Sequence, residues 1–317
     1  MFEIIFLGTS ASAPSAHRGL SAQIVKFNDH RFLVDCGEGT QRQILRSGIG
    51  FKQINRILLT HGHLDHILGL GGLMSTFMRW EAIEHLEILG GKSTLERVRT
   101  LVDGVVLRGQ QPPMELVYRE VTPGLLYDEE GFTVSAFNVT HRGPDCYGYI
   151  FEEKPRRPFL AEKAEELNIP FGGERAQLVK GNSVILEDGR LITPEQVLGA
   201  EQPGAKLVIT GDVARTDNIF EYVQGANTLV IESTYLIEEE EMAKQFSHMT
   251  ATWAAELAVK AGVDHLILTH FSRRYREKDI IAEAAELHPN VSVARDFDSF
   301  TCKKREREGN TPLEDTV

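Results

Sequence analysis

The sequence predicts an α/β protein in which two strand-rich halves, both carrying helices, flank an inserted arm. Three observations predict it. Short apolar runs rich in Ile, Val, Leu and Phe recur along the chain, the pattern of buried strands. Segments with helical spacing and capping residues lie between them. From about Glu152 to Leu198 the texture changes to Lys154-Pro155-Arg156-Arg157-Pro158, Gly172-Gly173 and Asp188-Gly189, which punctuate an insertion. At 317 residues, with 42% hydrophobic and 25% charged residues, the chain is excluded from collagen-like, coiled-coil and disordered classes. Its length suits one domain, residues 1–317, carrying the arm at about 152–198.

In order along the chain, Phe2 to Leu7, Ala22 to Phe27 and Arg31 to Val34 read as strands, with Asn28-Asp29 turning the hairpin between the last two. Gly39 to Ser47 reads as a helix and Ile54 to Leu59 as a buried strand. A helix is expected from about His66 to Trp80, then a strand at Leu86 to Leu89 and a helix whose cap is Ser93. Strands return at Glu115 to Val121 and Phe132 to Val139. In the arm, Ala161 to Leu167 is helical and a hairpin turns at Asp188-Gly189, but no long apolar face is present. Lys206 to Thr210, Thr228 to Ile231 and His265 to Leu268 complete the strands, and Thr250 caps an Ala-rich helix from Ala251 to Lys260. The polar tail from about Lys303 to Val317 is expected to fray.

The 34 Lys and Arg residues against 46 Asp and Glu give a net charge of −12, which offers no global attraction to nucleic acid or to an anionic membrane. An RNA partner therefore needs a local basic patch. Cys36, Cys146 and Cys302 are scattered and form no CxxC pair, so a reducing cytoplasm fits better than a disulfide framework. The first residues lack a basic stretch, and Glu3 interrupts their apolar run, so they read as a strand rather than a signal peptide. No run of 18 apolar residues is present, so no membrane span is expected.

The strongest motif is Thr60-His61-Gly62-His63-Leu64-Asp65-His66, directly after Ile57-Leu58-Leu59. With 11 His in the chain, HxHxDH would arise by chance in roughly one such sequence in two thousand, so the match is specific. Alternation places His61 and His63 on one side of an extended segment, while Asp65 and His66 enter a helix and face a second position. Imidazoles with a carboxylate suit Zn²⁺ or a similar divalent ion. Two sites need more donors, and His141, Asp212 and His270 each lie just past another apolar run, where a sheet edge delivers side chains to one cleft.

The HxHxDH loop with His141, Asp212 and His270 resembles the metallo-β-lactamase superfamily, whose fold is an αββα sandwich with two metals at the edge shared by its sheets. Phe6-Leu7-Gly8-Thr9-Ser10, Asp35-Cys36-Gly37-Glu38-Gly39-Thr40-Gln41, Gly211-Asp212, His248-Met249-Thr250 and Phe271-Ser272-Arg273-Arg274-Tyr275 are similar to the ribonuclease Z family of tRNA 3′-processing endonucleases. That resemblance runs from Met1 to about Phe300. It implies two Zn²⁺ per subunit, with Mn²⁺ or Fe²⁺ as substitutes and no organic cofactor. His61, His63 and His141 would hold one ion, Asp65, His66 and His270 the other, and Asp212 would bridge them. A dinuclear site suits phosphodiester hydrolysis because two ions activate water near neutral pH and take up the charge growing on the phosphoryl oxygens. Asp65 would orient or deprotonate the water, and His248 would stabilise or protonate the leaving 3′ oxygen. The products would be a tRNA 3′-hydroxyl and a trailer 5′-phosphate.

Substrate contacts follow from the same resemblance. Arg18 lies in a loop, Ala13 to Gly19, similar to the family loop near the cut, with Gly19 where Asn is common. Arg273, Arg274 and Tyr275, with Arg276 and Lys278 beyond, offer phosphate contacts and a stacking ring. The arm matches the position of the family's tRNA-gripping exosite. From Lys154 to Lys180 it carries Lys154, Arg156, Arg157, Lys163, Arg175 and Lys180 against four acidic residues. Its tip has Gly172-Gly173 in place of a Gly-Pro pair, and Val213 stands where Thr is usual after Gly-Asp. The implied protein acts on precursor tRNA as a cytoplasmic homodimer, one subunit's arm serving the other's site. Two other functions stay open: a dinuclear hydrolase of small phosphodiesters, sulfate esters or lactones, and a catalytically silent RNA-binding module. The complete ligand set argues against the second, and the basic arm against the first.

Overall fold

The computed structural model describes residues 1–80 and 83–304. The fraying expected of the tail concerns, from residue 305 on, residues outside those described. The chain forms two compact units, Met1–Glu152 with the segment from Ala205 onward, and Glu153–Gly204.

The larger unit begins with β1 (Glu3–Gly8), β2 (Ala22–Phe27), β3 (His30–Val34), α1 (Thr40–Ser47), β4 (Ile54–Leu58), α2 (Leu64–Ile67) and α3 (Leu70–Trp80). Next come β5 (His85–Gly90), α4 (Lys92–Arg99), a π-helical turn over Thr100–Leu107, β6 (Glu115–Glu120), β7 (Gly124–Glu129), β8 (Phe132–Asn138) and β9 (Tyr147–Glu153). The smaller unit holds α5 (Ala161–Glu166), α6 (Gly173–Val179), β10 (Val184–Ile185), β11 (Leu191–Ile192) and α7 (Pro194–Val197). The larger unit resumes with β12 (Lys206–Ile209), α8 (Phe220–Val223), β13 (Thr228–Glu232), α9 (Glu240–Phe246) and α10 (Ala251–Ala261). It ends with β14 (His265–Thr269), α11 (Glu277–Ala285), β15 (Val291–Val293) and β16 (Ser299–Thr301).

Two seven-stranded sheets result, ordered β16-β1-β2-β3-β4-β5-β6 and β15-β14-β13-β12-β9-β8-β7. Strand alternation explains their layering. Phe32 and Val34 of β3, Leu58 of β4, Leu207 and Ile209 of β12 and Val230 of β13 share one core between the sheets. Their neighbours face outward. Leu33 and Ile57 pack with Ile44 of α1 and Leu73 of α3, while Val208 and Leu229 pack with Ala254 and Ala258 of α10. Helices thus cover both outer faces, the αββα arrangement.

Where elements differ from expectation, long-range contacts decide. The helix expected from His66 to Trp80 is broken at Leu68-Gly69. There the backbone turns against Cys36-Gly37: Gly69 N–H donates to Cys36 O at 2.9 Å and Cys36 N–H to His66 O at 2.7 Å. A Cβ on Gly69 would sit 2.0 Å from Gly37 O, so only glycine permits this approach. Ser93 is not the cap of α4, which starts one residue earlier after Gly91; the Ser93 N–H instead donates to Asp145 Oδ2 at 3.1 Å. Thr250 does cap α10, its hydroxyl accepting from Trp253 N–H at 3.1 Å. β9 escaped sequence reading although Tyr147-Gly148-Tyr149-Ile150-Phe151 has strand composition. Gly148 is forced there by packing, because a Cβ would lie 2.3 Å from the Phe137 ring.

The smaller unit has its own core, formed by Ala164, Ile169, Leu178, Leu186, Ile192 and Val197. α5, α6, β11 and α7 contribute one each, and Ile169 and Leu186 come from connections, so no single segment showed an apolar face. It also extends to Gly204 rather than to about 198, because Arg156 and Gln202 exchange backbone hydrogen bonds of 3.0 and 2.9 Å. Over this full span seven Lys and Arg residues meet nine Asp and Glu, a net of −2. The basic excess is confined to its first half.

Candidate metal centre

The centre forms where strand ends meet. β3 and β4 run parallel, as do β12, β13 and β14, so their C-terminal ends lie side by side. Asp35 follows β3, Thr60 to His66 follow β4, Asp212 follows β12, Glu232 ends β13 and His270 follows β14. His141 lies in the loop joining β8 to β9, and β9 pairs with the end of β12 through Tyr149 and Ile209. Gly211, at φ 66, allows the Asp212 loop to pass Thr60, whose Cβ would stand 2.7 Å from any side chain there.

Two groups of donors converge. His61 Nε2 lies 2.8 Å from His63 Nδ1, His141 Nε2 lies 3.4 Å from the same nitrogen, and Asp212 Oδ2 is 3.7 Å from both His61 and His141 Nε2. In the second group, Asp65 Oδ2 lies 3.4 Å from His270 Nε2 and 3.8 Å from His66 Nε2. Asp212 Oδ1 is 3.5 Å from each of those imidazole nitrogens. One carboxylate therefore faces both groups, one oxygen to each.

The outer partners of the imidazoles leave a lone pair aimed inward. His141 Nδ1–H donates to Ser247 O at 2.7 Å, and His66 Nδ1–H to Asp35 Oδ2 at 2.7 Å. Thr60 gives its hydroxyl hydrogen to Asp35 at 2.8 Å and so accepts from His61 Nδ1–H at 3.1 Å. Thr234 likewise donates to Glu232 and accepts from His270 Nδ1–H at 3.0 Å. This is how metal-binding histidines are oriented. His66 Nε2 is buried with no hydrogen-bond partner, an orphan that a divalent ion would satisfy.

Electrostatics agree. Burial, then the neighbouring imidazoles, lowers the His61 pKa well below 6.5, and burial lowers His63 to about 4, so both are neutral donors. Burial opposes charge on Asp212, yet His270, His66 and His61 hold its carboxyl well below the carboxylate range. At His66 burial disfavours charge, but Asp212 and Asp35 raise its pKa well above 6.5; a metal on Nε2 meets the same demand for positive charge. The donors thus fit a pair of divalent ions.

His248 sits beside this centre, its ring centroid 5.0 Å from that of His141. Its Nδ1 is held by both Glu232 oxygens at 2.9 and 3.0 Å. Burial opposes its protonation, but Glu232 pushes its pKa up to about 9. Sequence reasoning assigned no role to Glu232, Asp35, Thr60 or Thr234. A signal existed for Glu232, a carboxylate ending the apolar run Thr228-Leu229-Val230-Ile231 as Asp212 follows its own.

The expected substrate residues divide by what they touch. The Arg18 guanidinium is committed internally, to Ala294 O at 2.7 Å, Glu277 at 2.6 Å and the Thr9 hydroxyl, with its Cζ 4.9 Å from the Phe271 ring centroid. Arg274 pairs with Glu239 at 3.2 Å, and the Tyr275 hydroxyl donates to the same carboxylate. Arg273 is exposed, and with Arg18, Tyr275, Arg276 and Lys278 it lines a pocket of about 480 Å³ beside Phe271. In the smaller unit, Arg157 is tied to Gly199 O and Leu198 O at 2.9 and 3.1 Å, and Arg175 twice to Ile169 O. Lys154, Arg156, Lys163 and Lys180 are exposed.

Comparison with known proteins supplies the family. A family model described as anti-Pycsar protein Apyc1 matches residues 2–155. The chain is 44% identical over 299 residues to a ribonuclease Z of Bradyrhizobium diazoefficiens, spanning 94% of this chain and 99% of that one. Human tRNase Z, short form, is 25% identical with a TM-score of 0.69, covering 95% of this chain and 100% of that one. YhfI of Bacillus subtilis, a metallo-β-lactamase fold protein, is 17% identical with a TM-score of 0.68 over 95% of this chain and 100% of that one, a likeness of fold alone. The αββα sandwich is thus the metallo-β-lactamase fold, and identity of this degree from end to end shows that the chain belongs to the ribonuclease Z family.

Proposed function

We propose that this protein is a dinuclear metal-dependent endoribonuclease that removes the 3′ trailer from precursor tRNA. The observation that carries this reading is Asp212, whose two oxygens face two separate donor groups at the meeting of strand ends. His61, His63 and His141 would hold one Zn²⁺ and Asp65, His66 and His270 the other, with Asp212 serving both; Mn²⁺ or Fe²⁺ would suit the same donors. Bound there, two divalent ions activate water and offset charge on the phosphoryl oxygens.

The protein's own groups do the rest. Asp65 Oδ2 is fixed by the Ser12 N–H at 2.8 Å, which places it to orient the attacking water. With Nδ1 held by Glu232, His248 presents Nε2 to the leaving 3′ oxygen and gives it a proton. The tRNA retains a 3′-hydroxyl and the trailer a 5′-phosphate. Glu232→Gln is expected to lower kcat about 10- to 100-fold while leaving KM for precursor tRNA within about twofold, as read by steady-state kinetics.

The exposed Arg273 and Lys278 serve as phosphate contacts next to His270, and the unit Glu153–Gly204 serves as the exosite through Lys154, Arg156, Lys163 and Lys180. The active form is a cytoplasmic homodimer in which one subunit's exosite serves the partner's centre. The test compares zinc-loaded wild type, Asp65→Ala and an exosite deletion on precursor tRNA and on a chromogenic phosphodiester. Because Glu152 and Lys206 are paired neighbours on β9 and β12, a short turn can replace the deleted unit. Deletion is expected to abolish precursor cleavage and spare the small substrate, whereas Asp65→Ala loses both. Precursor cleavage unaffected by the deletion would overturn the exosite assignment, and a wild type that cuts neither substrate would overturn the hydrolase.

A further inference from the structure

Most arginines near the centre are committed to the fold. Arg18 and Arg274 have the partners given above, and Arg97 donates to Gly62 O. Arg142 differs. It directly follows His141, its side chain is exposed, and no hydrogen bond or ion pair holds it among the described residues. Its guanidinium carbon lies 5.7 Å from the Phe246 ring centroid, and its charge is felt at both His248 and Tyr235. The Tyr235 ring is in turn 6.2 Å from His248. An unpaired guanidinium and the Tyr235 ring therefore lie near His248, with the Phe246 ring beside the guanidinium.

Which part of an RNA would meet them follows from the proton. His248 serves the leaving oxygen, and that oxygen belongs to the nucleotide that stays on the tRNA, so a nucleotide lying beside His248 is the retained one. Its own 5′ phosphate is the first unreacted phosphate on the tRNA side of the cut. Guanidinium forks bind phosphate oxygens through two parallel hydrogen bonds, and a fork with no protein partner has these donors free. We propose that Arg142 binds the phosphate on the 5′ side of the retained 3′-terminal nucleotide, with the Phe246 ring supporting its guanidinium. This rests on the reading of His248 as proton donor in RNA cleavage. It makes Arg142 a positioning residue that registers the tRNA end against the metals.

The test replaces single phosphates of a precursor tRNA by neutral methylphosphonate, one at the 5′ side of the retained nucleotide and one in the trailer, and measures kcat/KM for metal-loaded wild type, Arg142→Ala and Arg142→Lys. Wild type is expected to lose roughly tenfold or more with the first substitution. In Arg142→Ala the unmodified precursor is cut correspondingly more slowly, and the same substitution then costs less than about twofold. Arg142→Lys keeps part of the sensitivity, and the trailer substitution acts alike on wild type and both variants. An Arg142→Ala enzyme that retains the full tenfold sensitivity, or a wild type indifferent to the substitution, overturns the inference while leaving the nuclease intact. A wild type that fails on the unmodified precursor overturns the underlying function instead.

Discussion

Asp212→Ala is expected to lower cleavage of precursor tRNA by at least about a thousandfold and to empty both metal positions together. Loss of a single preorganised charge-stabilising group costs roughly 10² to 10³ in rate, and this carboxylate faces both donor groups at once. Its oxygens stand 3.7 Å from His61 and His141 and 3.5 Å from His66 and His270, so its loss removes a donor from both groups at once. The variant also leaves a cluster of buried imidazoles without their shared counter-charge. Elemental analysis after dialysis against a weak chelator separates this from a local effect. Parallel loss of both ions is expected, whereas loss of one alone would assign Asp212 to a single site. Asp212→Asn keeps the shape and one weak donor oxygen and is expected to fall between the two.

His248→Ala is expected to lower kcat about 10²- to 10⁴-fold with metal content unchanged, because in the proposed mechanism His248 transfers a proton and does not ligate metal. Its Nδ1 is occupied by Glu232, which leaves Nε2 as the only nitrogen available to substrate. The loss should depend on the leaving group. A ribose 3′ oxygen departs poorly without a proton, whereas p-nitrophenolate departs readily, so the chromogenic phosphodiester should lose less than about tenfold. Equal loss on both substrates, or loss of metal, would instead make His248 part of the metal scaffold. The Glu232→Gln variant should show the same leaving-group dependence in weaker form, since it disturbs the same imidazole one step removed.

The legible part of this protein was its strand ends. His61, His63, Asp65, His66, His141, Asp212 and His270 could be placed together from sequence because parallel strands bring their C-terminal ends to one edge, and each residue closes or follows an apolar run. Outer partners were less legible because they depend on contacts between distant segments. Asp35 reaches His66 across 31 residues, and Thr234 reaches His270 across 36. Arg18 shows the same limit: a basic residue in a promising loop turns out to pair with Glu277, 259 residues away. The core of the smaller unit was hidden because its six buried apolar residues are spread over four short elements and two connections. Its charge was misleading because the stretch from Lys154 to Lys180 is basic while the folded unit, extended to Gly204, is not.

The central claim is that two metal ions share Asp212, and diffraction from crystals grown with zinc, recorded on both sides of the zinc absorption edge, tests it most directly. Two anomalous peaks are expected on either side of the Asp212 carboxylate, one among His61, His63 and His141 and one among Asp65, His66 and His270. A single peak, or peaks that leave Asp212 outside their coordination, would contradict the dinuclear centre.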